Sequence, residues 1–172
     1  IEHLLNLSLN PNTLIGDLDS ISKKSLDEVK KNGVKILAFN SNKDQTDFEL
    51  ALNYLEETEK SKVYIIGGES GEIDHLISIF LLIPSKSFFE NIIWLYGDKR
   101  IIFRQKLELN IKKLTKFSVI PLTDLTNLSI DGAEWNLDNK DIQFGETLTL
   151  RNNTNEEQLN IRCDKGVFAL IY

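Results

Sequence analysis

The sequence predicts an α/β fold, a doubly wound and mainly parallel sheet, followed by an all-β sandwich. In residues 1–83, short apolar runs alternate with segments of helical periodicity, as in the β-α-β units of a parallel sheet. Beyond Pro84 the runs are short, rich in β-branched and aromatic residues and separated by turn signals, which is typical of a sandwich or small barrel. We therefore predict two domains, residues 1–86 and 87–172.

The first half is predicted to begin with a short helix and a turn. Leu26 and Val29 stand at helical spacing after the first strand. Thr46 and Glu49 match a capping box at the start of the next helix. The apolar run 63–66 resembles a strand covered on both faces. The predicted helices are 2–9, 22–32, 46–59 and 73–83, and the predicted strands are 13–15, 34–39 and 63–66.

The second half is predicted to consist of strands without intervening helices. Residues 96–99 and 163–166 have the composition of hairpin turns. The predicted strands are 92–95, 101–105, 117–120, 128–131, 147–150, 159–163 and 167–172.

Composition limits the class of protein. The formal net charge of −6 and pI near 5.0 argue against a nucleic-acid surface. One cysteine, Cys163, excludes an intrachain disulfide, and two histidines are too few for a credible zinc site. No apolar run reaches the roughly 20 residues that span a bilayer, so we expect a cytoplasmic protein with no membrane partner. The chain starts at Ile1 and has no Met, so we expect that an upstream segment is missing.

Two carboxylates follow the first predicted strand. Asp17 and Asp19 come after the apolar run and Gly16, and side chains two apart on extended chain point the same way. Such a pair suits one hard cation, most plausibly magnesium held together with substrate phosphates. The alternative is structural, with Asp19 or Ser20 capping the next helix and Asp17 serving as a turn residue.

Two further loops follow strand ends, at residues 43–47 and 67–75. Ligands bind at the carboxyl ends of strands in a doubly wound sheet, so the three loops are expected to converge on one crevice. Asp47 has an alternative role in complementing the dipole of its helix. The glycine loop matches neither the Walker A nor the dinucleotide pattern, and it either cradles phosphates or is a tight turn.

Three other side chains have two interpretations each. His75 beside Asp74 is either a general base or a structural residue at a helix start. Trp135 and Trp94 are suited to stack on a heterocycle, although a place in the core is the commoner role of such a residue.

These loops together resemble the thiamin pyrophosphokinase family. The residues Gly16-Asp17-Leu18-Asp19-Ser20-Ile21 follow its Gly-Asp-x-Asp-Ser-Ile motif. Its second motif, Lys-Asp-x-Thr-Asp-x-Glu, is matched at residues 43–49. Its third, Gly-Gly-x-x-Gly-Arg-x-Asp-His, is matched at 67–75 except for the Arg. A Gly-x-x-Trp element at Gly132 and Trp135 and a Phe-Gly step at 144–145 also resemble the family.

The resemblance implies an enzyme that transfers a pyrophosphoryl group from ATP to thiamin, giving thiamin pyrophosphate and AMP. It also implies a homodimer with shared active sites, an α/β catalytic domain and a β-sandwich that helps to bind thiamin. Magnesium would be held by Asp17, Asp19 and Asp47. The implied ATP-binding residues are Ser20, Lys43, Asp44, Thr46, Gly67, Gly68, Asp74 and His75. The implied thiamin-binding residues are Trp135, which stacks on thiamin from the partner subunit, Thr149 and Asn152.

The sequence departs from the family pattern at several positions. Glu72 replaces an Arg that can pair with phosphate, and Ser78 replaces a frequent Asn. Residues 149–152 follow the Ser-Thr-Ser-Asn element loosely, retaining Thr149 and Asn152. The family's first strand and its Asp-Gly-Gly loop would precede Ile1.

Two alternative functions remain open from the residues. Glu72 favours a degenerate paralogue that binds thiamin or a nucleotide without turnover. The run Asp17-Leu18-Asp19-Ser20 also fits the nucleophile loop of an aspartate-based, metal-dependent phosphatase, which would form an aspartyl phosphate.

Overall fold

The computed structural model describes residues 1–40, 44–58, 61–68 and 71–172. Its internal contacts divide the chain into two compact units, an amino-terminal unit, Ile1–Glu59, and a carboxy-terminal unit, Lys60–Tyr172. The domain boundary expected between residues 86 and 87 stays a prediction.

The amino-terminal unit is a β-α-β unit with a helix on either side. Its two strands run parallel, with Thr13 paired to Lys35 and Gly16 paired to Ala38. This confirms the helix–strand alternation predicted for this part of the chain. The elements are α1 (Glu2–Asn6), β1 (Thr13–Gly16), α2 (Lys23–Lys31), β2 (Lys35–Ala38) and α3 (Asp47–Thr58).

Local hydrogen bonds explain where the two longer helices begin. The Ser25 N–H donates to Ser22 Oγ at 3.1 Å, so Ser22 caps α2. The alternative in which Asp19 or Ser20 caps this helix is therefore wrong. At α3 the Glu49 N–H donates to Thr46 Oγ1 at 3.1 Å, as the capping-box pattern predicts.

The carboxy-terminal unit contains a six-stranded and a four-stranded sheet. It comprises β3 (Val63–Ile66), α4 (Ile73–Leu82), 3₁₀ turns at Ile83–Ser85 and Phe89–Asn91, β4 (Ile92–Tyr96), β5 (Lys99–Arg104), β6 (Lys106–Asn110), β7 (Lys116–Pro121), β8 (Leu125–Asp131), β9 (Leu137–Ile142), β10 (Asn152–Asn153), β11 (Gln158–Arg162) and β12 (Phe168–Ile171).

The strand order is β10-β7-β12-β5-β4-β3 in the larger sheet and β6-β11-β8-β9 in the smaller one. Strands β3 and β4 pair in parallel, and every other neighbouring pair in the two sheets is antiparallel. Alternate side chains from both sheets form one apolar core, which includes Phe117, Leu128, Leu159 and Phe168. A mixed α/β part followed by a β-rich part is thus confirmed.

Several predicted strand features are confirmed or corrected by the structure. Tyr96 pairs with Lys99 across the predicted hairpin between β4 and β5. The segment 163–166 is not a hairpin, because β11 lies in the smaller sheet and β12 in the larger one. Residues 147–150 form a turn instead of a strand, with the Leu150 N–H donating to the Thr147 carbonyl. Strands β6, β9 and β10 were not predicted.

The expectation that β3 is covered on both faces is wrong. Strand β3 is the last strand of its sheet, and Tyr64 and Ile66 on one of its faces are 55% and 79% exposed. In the described part of the chain, no helix is both long enough and apolar enough to cross a membrane.

Candidate active site

The loop after β1 places the first predicted carboxylate. The Asp19 N–H donates to Asp17 Oδ1 at 3.2 Å, which fixes the Asp17 carboxylate in a tight turn. Leu18 between them has a φ of 63°, so the chain is not extended here. The argument that Asp17 and Asp19 point the same way on extended chain is therefore wrong, because a left-handed residue between two side chains changes their relative direction.

The second carboxylate reaches this loop from the first turn of α3. The carboxylate of Asp47 lies against the backbone of Gly16, where an added Cβ would stand 2.7 Å from Asp47 Oδ2. Gly16 is buried and has a φ of 150°, a conformation that favours glycine. The bare Cα of Gly16 thus makes room for the acid.

Asp17 and Asp47 line one cleft of about 310 Å³. Ser20 is also part of its lining, whereas Asp19 is exposed and lies outside it. The structure therefore brings together two of the three predicted carboxylates. The whole lining is Ile1, Glu2, His3, Leu14, Ile15, Gly16, Asp17, Leu18, Ser20, Ile21 and Asp47.

The donor chemistry of this cleft fits magnesium. Across the four described ranges, no group of three His, Cys, Asp or Glu side chains is close enough to hold a metal ion alone. Magnesium in phosphate-transfer sites is usually bound through one or two carboxylates together with substrate phosphates and water. The lining holds three carboxylates, of which Glu2 accepts a hydrogen bond from Ser25 Oγ at 2.8 Å. Asp17 and Asp47 are the pair that meets this requirement.

The remaining residues of the second predicted loop surround the start of α3. Asp44 and Thr46 are exposed, and Thr46 serves as the helix cap. The side chain of Gln45 donates to Glu49 Oε1 at 3.0 Å, a contact that the motif does not indicate. Lys43 lies outside the described residues.

The glycine loop after β3 is supported by a buried tryptophan. Trp94 has no exposed surface, and its Nε1–H donates to the Gly67 carbonyl at 2.8 Å. Its ring packs against Phe80 and Tyr96, with centroids 5.3 and 5.5 Å apart. Trp94 is therefore a core residue that positions Gly67, and the interpretation that it stacks on a ligand is wrong.

The start of α4 carries the last predicted ATP residues and the most conspicuous departure from the family pattern. The His75 N–H donates to Asp74 Oδ1 at 2.8 Å, and both side chains are exposed. Glu72 occupies the N-cap position and is exposed. A carboxylate here interacts favourably with the helix dipole but adds negative charge where the family pattern has a cation.

The predicted thiamin residues lie in the carboxy-terminal unit. Trp135 is 58% exposed, on the connection from β8 to β9. Asn152 is 6% exposed, and its side chain accepts a hydrogen bond from the Trp135 N–H and donates one to the Trp135 carbonyl. Thr149 is 3% exposed and donates from Oγ1 to the Val119 carbonyl at 2.6 Å. Of the three, Trp135 is thus the side chain open to a ligand.

Comparison with known proteins assigns the family. Residues 1–94, more than half of the chain, match the family described as "Thiamin pyrophosphokinase, catalytic domain". The chain belongs to the thiamin pyrophosphokinase family. Residues 104–168 match a second description, "Thiamin pyrophosphokinase, vitamin B1 binding domain". The predicted family and its enzyme class, a diphosphotransferase, are confirmed, and these matches do not support the phosphatase alternative.

Individual relatives agree with this thiamin pyrophosphokinase assignment. The chain is 28% identical to thiamine pyrophosphokinase of Bacillus subtilis, over 98% of this chain and 81% of the relative. It is 23% identical to thiamine pyrophosphokinase 2 of Arabidopsis thaliana, over 94% of this chain and 65% of the relative. The chain therefore spans about two thirds of the plant protein.

Solved thiamin pyrophosphokinase structures share the fold. A thiamin pyrophosphokinase family protein from Enterococcus faecalis superposes with a TM-score of 0.85 at 24% identity, over 99% of this chain and 83% of that one. Thiamine pyrophosphokinase from Bacillus subtilis gives a TM-score of 0.84 at 24% identity, over 98% of this chain and 81% of that one. At this identity the likeness concerns the fold alone.

Proposed function

We propose that this chain transfers a diphosphoryl group from ATP to the hydroxyethyl oxygen of thiamin, giving thiamin pyrophosphate and AMP. Membership of the thiamin pyrophosphokinase family supports the reaction. The observation that carries the site is the cleft shared by Asp17 and Asp47, with Gly16 in the same lining and against the Asp47 carboxylate. Hard oxygen donors in such a cleft suit a metal-bound diphosphate.

Magnesium is the proposed metal, held by Asp17 and Asp47 with Asp19 as the third acid of the set. When bound, it would supply positive charge to offset the charge that develops on the reacting phosphoryl oxygens and on the leaving AMP. The Asp19 N–H bond to Asp17 Oδ1 orients the Asp17 carboxylate before any ligand arrives. One of these acids also accepts the proton of the attacking thiamin hydroxyl.

The proposed ATP-binding groups come from all three loops. Gly67 and Gly68 are proposed to line the phosphate site, with the Gly68 N–H as the donor to phosphate. The Gly67 N–H already donates to the Leu95 carbonyl at 3.3 Å, and the Gly67 carbonyl accepts from Trp94 Nε1, so its main chain is held in place. Lys43 supplies a positive charge. The remaining proposed ATP residues are Ser20, Asp44, Thr46, Asp74 and His75.

The proposed thiamin site centres on Trp135. Its exposed ring offers an apolar face for stacking on a heterocycle, with Thr149 and Asn152 behind it. We propose that the active sites are shared across a homodimer and that each subunit has a doubly wound catalytic domain, residues 1–86, and a sandwich domain, 87–172. We further propose a cytoplasmic enzyme without nucleic-acid or membrane partners.

The reaction is tested by measuring AMP release from ATP and magnesium with the purified protein. We expect AMP to form only when thiamin is present, together with an equal amount of thiamin pyrophosphate. Asp17→Asn and Asp47→Asn should each lower the rate about 100-fold, because mutation of a residue that only supports a metal ligand typically costs about 10- to 100-fold and loss of the ligand itself should cost at least as much. If Asp19→Asn retains the full rate, Asp19 is not a ligand of the metal.

Glu72 provides a second test, aimed at the paralogue without turnover. If Glu72 only weakens ATP binding, Glu72→Arg should lower the KM for ATP and leave kcat similar. Calorimetry would measure thiamin binding, and the AMP assay would be run on both the parent protein and Glu72→Arg. If thiamin binds but neither protein forms AMP, the proposed reaction is rejected and a binding protein without turnover is favoured.

A further inference from the structure

We propose that Asn152 is a positioning residue that holds the main chain of Trp135, so that the indole ring is presented in one orientation before thiamin arrives. The proposal rests on the thiamin-stacking role proposed for Trp135. It assigns Asn152 an indirect part in binding, through Trp135, and no contact with thiamin.

The hydrogen bonds of Asn152 carry the proposal. The Trp135 N–H donates to Asn152 Oδ1 at 3.2 Å, and Asn152 Nδ2 donates to the Trp135 carbonyl at 2.8 Å. The Asn153 N–H donates to the same Oδ1 at 2.8 Å. An amide oxygen accepts through two lone pairs, so both acceptor sites of Asn152 are used within the protein. At 6% exposure the side chain also has little surface to offer a ligand.

The residues before Trp135 are held in the same way. The Glu134 N–H donates to the Asn153 carbonyl at 2.8 Å, and the Ala133 N–H donates to Asn136 Oδ1 at 2.9 Å. The side chain of Asn153 donates to Glu134 Oε2 at 2.8 Å. The main chain is thus bonded at three consecutive residues, 133–135, while Trp135 as a residue is 58% exposed.

This arrangement has an energetic consequence for binding. An exposed aromatic ring on a mobile loop loses conformational freedom when it stacks on a ligand, which typically costs about 0.5–1.5 kcal/mol for each ordered side chain. A loop already fixed by the protein avoids much of that loss. Removal of the Asn152 amide should therefore weaken thiamin binding although it removes no contact with thiamin.

A double-mutant cycle tests this route of action. Thiamin affinity is measured by calorimetry on the full chain, on Asn152→Ala, on Trp135→Ala and on the double variant. We expect Asn152→Ala to weaken binding about three- to tenfold, and to have no further effect once Trp135 is already Ala. An equal loss in both backgrounds would show a direct Asn152 contact with thiamin and overturn the proposal.

A spectroscopic measurement separates this proposal from the proposed reaction. The chain has two tryptophans, so 5-fluorotryptophan labelling gives two ¹⁹F signals, and Trp135→Phe assigns them. In Asn152→Ala the Trp135 signal should broaden or split, whereas the Trp94 signal stays unchanged. An unchanged Trp135 signal overturns the positioning role. Failure of the parent protein to bind thiamin counts against the proposed reaction, and the ¹⁹F signals still decide the positioning role.

Thr154→Val is the matched control for loss of a buried polar group. Thr154 lies two residues from Asn152, is fully buried, and its Oγ1 donates to the Lys112 carbonyl and accepts from the Thr115 N–H. It should lower stability without changing the Trp135 signal. If Asn152→Ala does not fold, Asn152→Asp serves instead, because it keeps the acceptor oxygen and removes the donor to the Trp135 carbonyl. In Asn152→Asp the ¹⁹F signal of Trp135 should likewise broaden or split.

Discussion

Backbone conformation at Gly16 and Leu18 decides where the candidate metal ligands lie. Gly16 lets the Asp47 carboxylate approach the end of β1, and Leu18, at a φ of 63°, turns the chain between Asp17 and Asp19. A non-glycine residue in this conformation typically costs about 1–3 kcal/mol, and such residues cluster at functional sites. The cleft is therefore shaped by main chain as much as by the acids themselves.

Gly16→Ala should impair catalysis more than stability. A Cβ at this position would stand 2.7 Å from Asp47 Oδ2 and 3.1 Å from Asp47 Cγ, so the carboxylate must move away from residue 16. Because a displacement of about 1 Å at a reacting site can cost about 100-fold in rate, we expect a loss of that order in thiamin-dependent AMP release. The measurement is kcat at saturating magnesium, together with the melting temperature.

Gly33→Ala is the control for backbone strain. Gly33 has a φ of 72°, and an added Cβ would meet no atom within 4 Å. This change should lower stability by about 1 kcal/mol and leave kcat unaltered. Equal rates for both variants would show that the contact between Gly16 and Asp47 is irrelevant to the reaction.

Cys163 should react slowly with alkylating reagents in the folded protein. Burial, and then the negative charge of Asp164, raise the pKa of its thiol. The pH at which iodoacetamide reaction reaches half its maximal rate should lie higher for the folded protein than for the urea-unfolded chain. Identical midpoints would contradict the assigned environment.

The same pKa shift has a consequence for stability. The pKa of the Cys163 thiol is higher in the folded state than in the unfolded state. Its contribution to the free energy of unfolding is therefore fully present below the unfolded pKa of about 8.5. That contribution is lost as the pH rises from there through the folded pKa. The free energy of unfolding should therefore fall with alkaline pH more steeply for the parent protein than for Cys163→Ala.

At the scale of elements, the connection from β8 to β9 depends on close contact with β11. Gly132 has a φ of 85°, and a Cβ there would stand 2.0 Å from the Gln158 carbonyl oxygen and 3.2 Å from its carbon. Main chain cannot move away as a flexible side chain can. Gly132→Ala should therefore destabilise the protein by about 3 kcal/mol or more, combining overpacking with strain.

Gly145→Ala provides the comparison for this prediction. Gly145 has a similar φ of 89°, but no atom lies within 4 Å of its would-be Cβ. Gly145→Ala should lower the free energy of unfolding by about 1 kcal/mol. The stabilities of Gly132→Ala and Gly145→Ala are measured by urea unfolding, and similar losses for the two variants would refute the argument from the Gln158 contact.

Elements with local signals could be predicted from the sequence, and those decided by distant pairing could not. The cap at Thr46 and the turn between Tyr96 and Lys99 are set by neighbouring residues. The segment 163–166 has the same turn composition, yet the Asp164 N–H and the Lys165 carbonyl bond to Thr126 and carry the chain from one sheet to the other. Turn residues indicate a change of direction but not which strand comes next.

The candidate site shows the same limit. Local patterning indicated Asp17 as a metal ligand, and the expected convergence of loops at strand ends brought the Asp47 loop near it. The role of Asp47 as a metal ligand came from the family resemblance, because a helix-dipole role explained it equally well from the residues alone. The local pattern placed Asp19 beside Asp17 by assuming extended chain, whereas Leu18 is left-handed. Two supporting contacts have no local sequence signal. Trp94 supports Gly67 from 27 residues away, and Asn152 supports Trp135 from 17 residues away.

Over the whole molecule, apolar burial is distributed unevenly. In the described part of residues 1–58, the buried apolar side chains are Val29, Leu50 and Leu52. The two sheets of the carboxy-terminal unit enclose a far larger apolar core, with fully buried residues such as Leu128, Leu159 and Phe168. Since burial of apolar surface is the main favourable contribution to folding, local stability should differ between the two units.

Hydrogen–deuterium exchange followed by mass spectrometry measures this difference. Amides of β5, β7, β11 and β12 should exchange only on global unfolding, because they lie in antiparallel pairs over the enclosed core. Those of β1, β2 and α3 should exchange faster, through local opening that exposes few apolar side chains. Leu170→Ala should lower the free energy of unfolding by about 2–5 kcal/mol and accelerate exchange throughout the sandwich. Uniform protection across both units would contradict the inference that stability resides mainly in the sandwich.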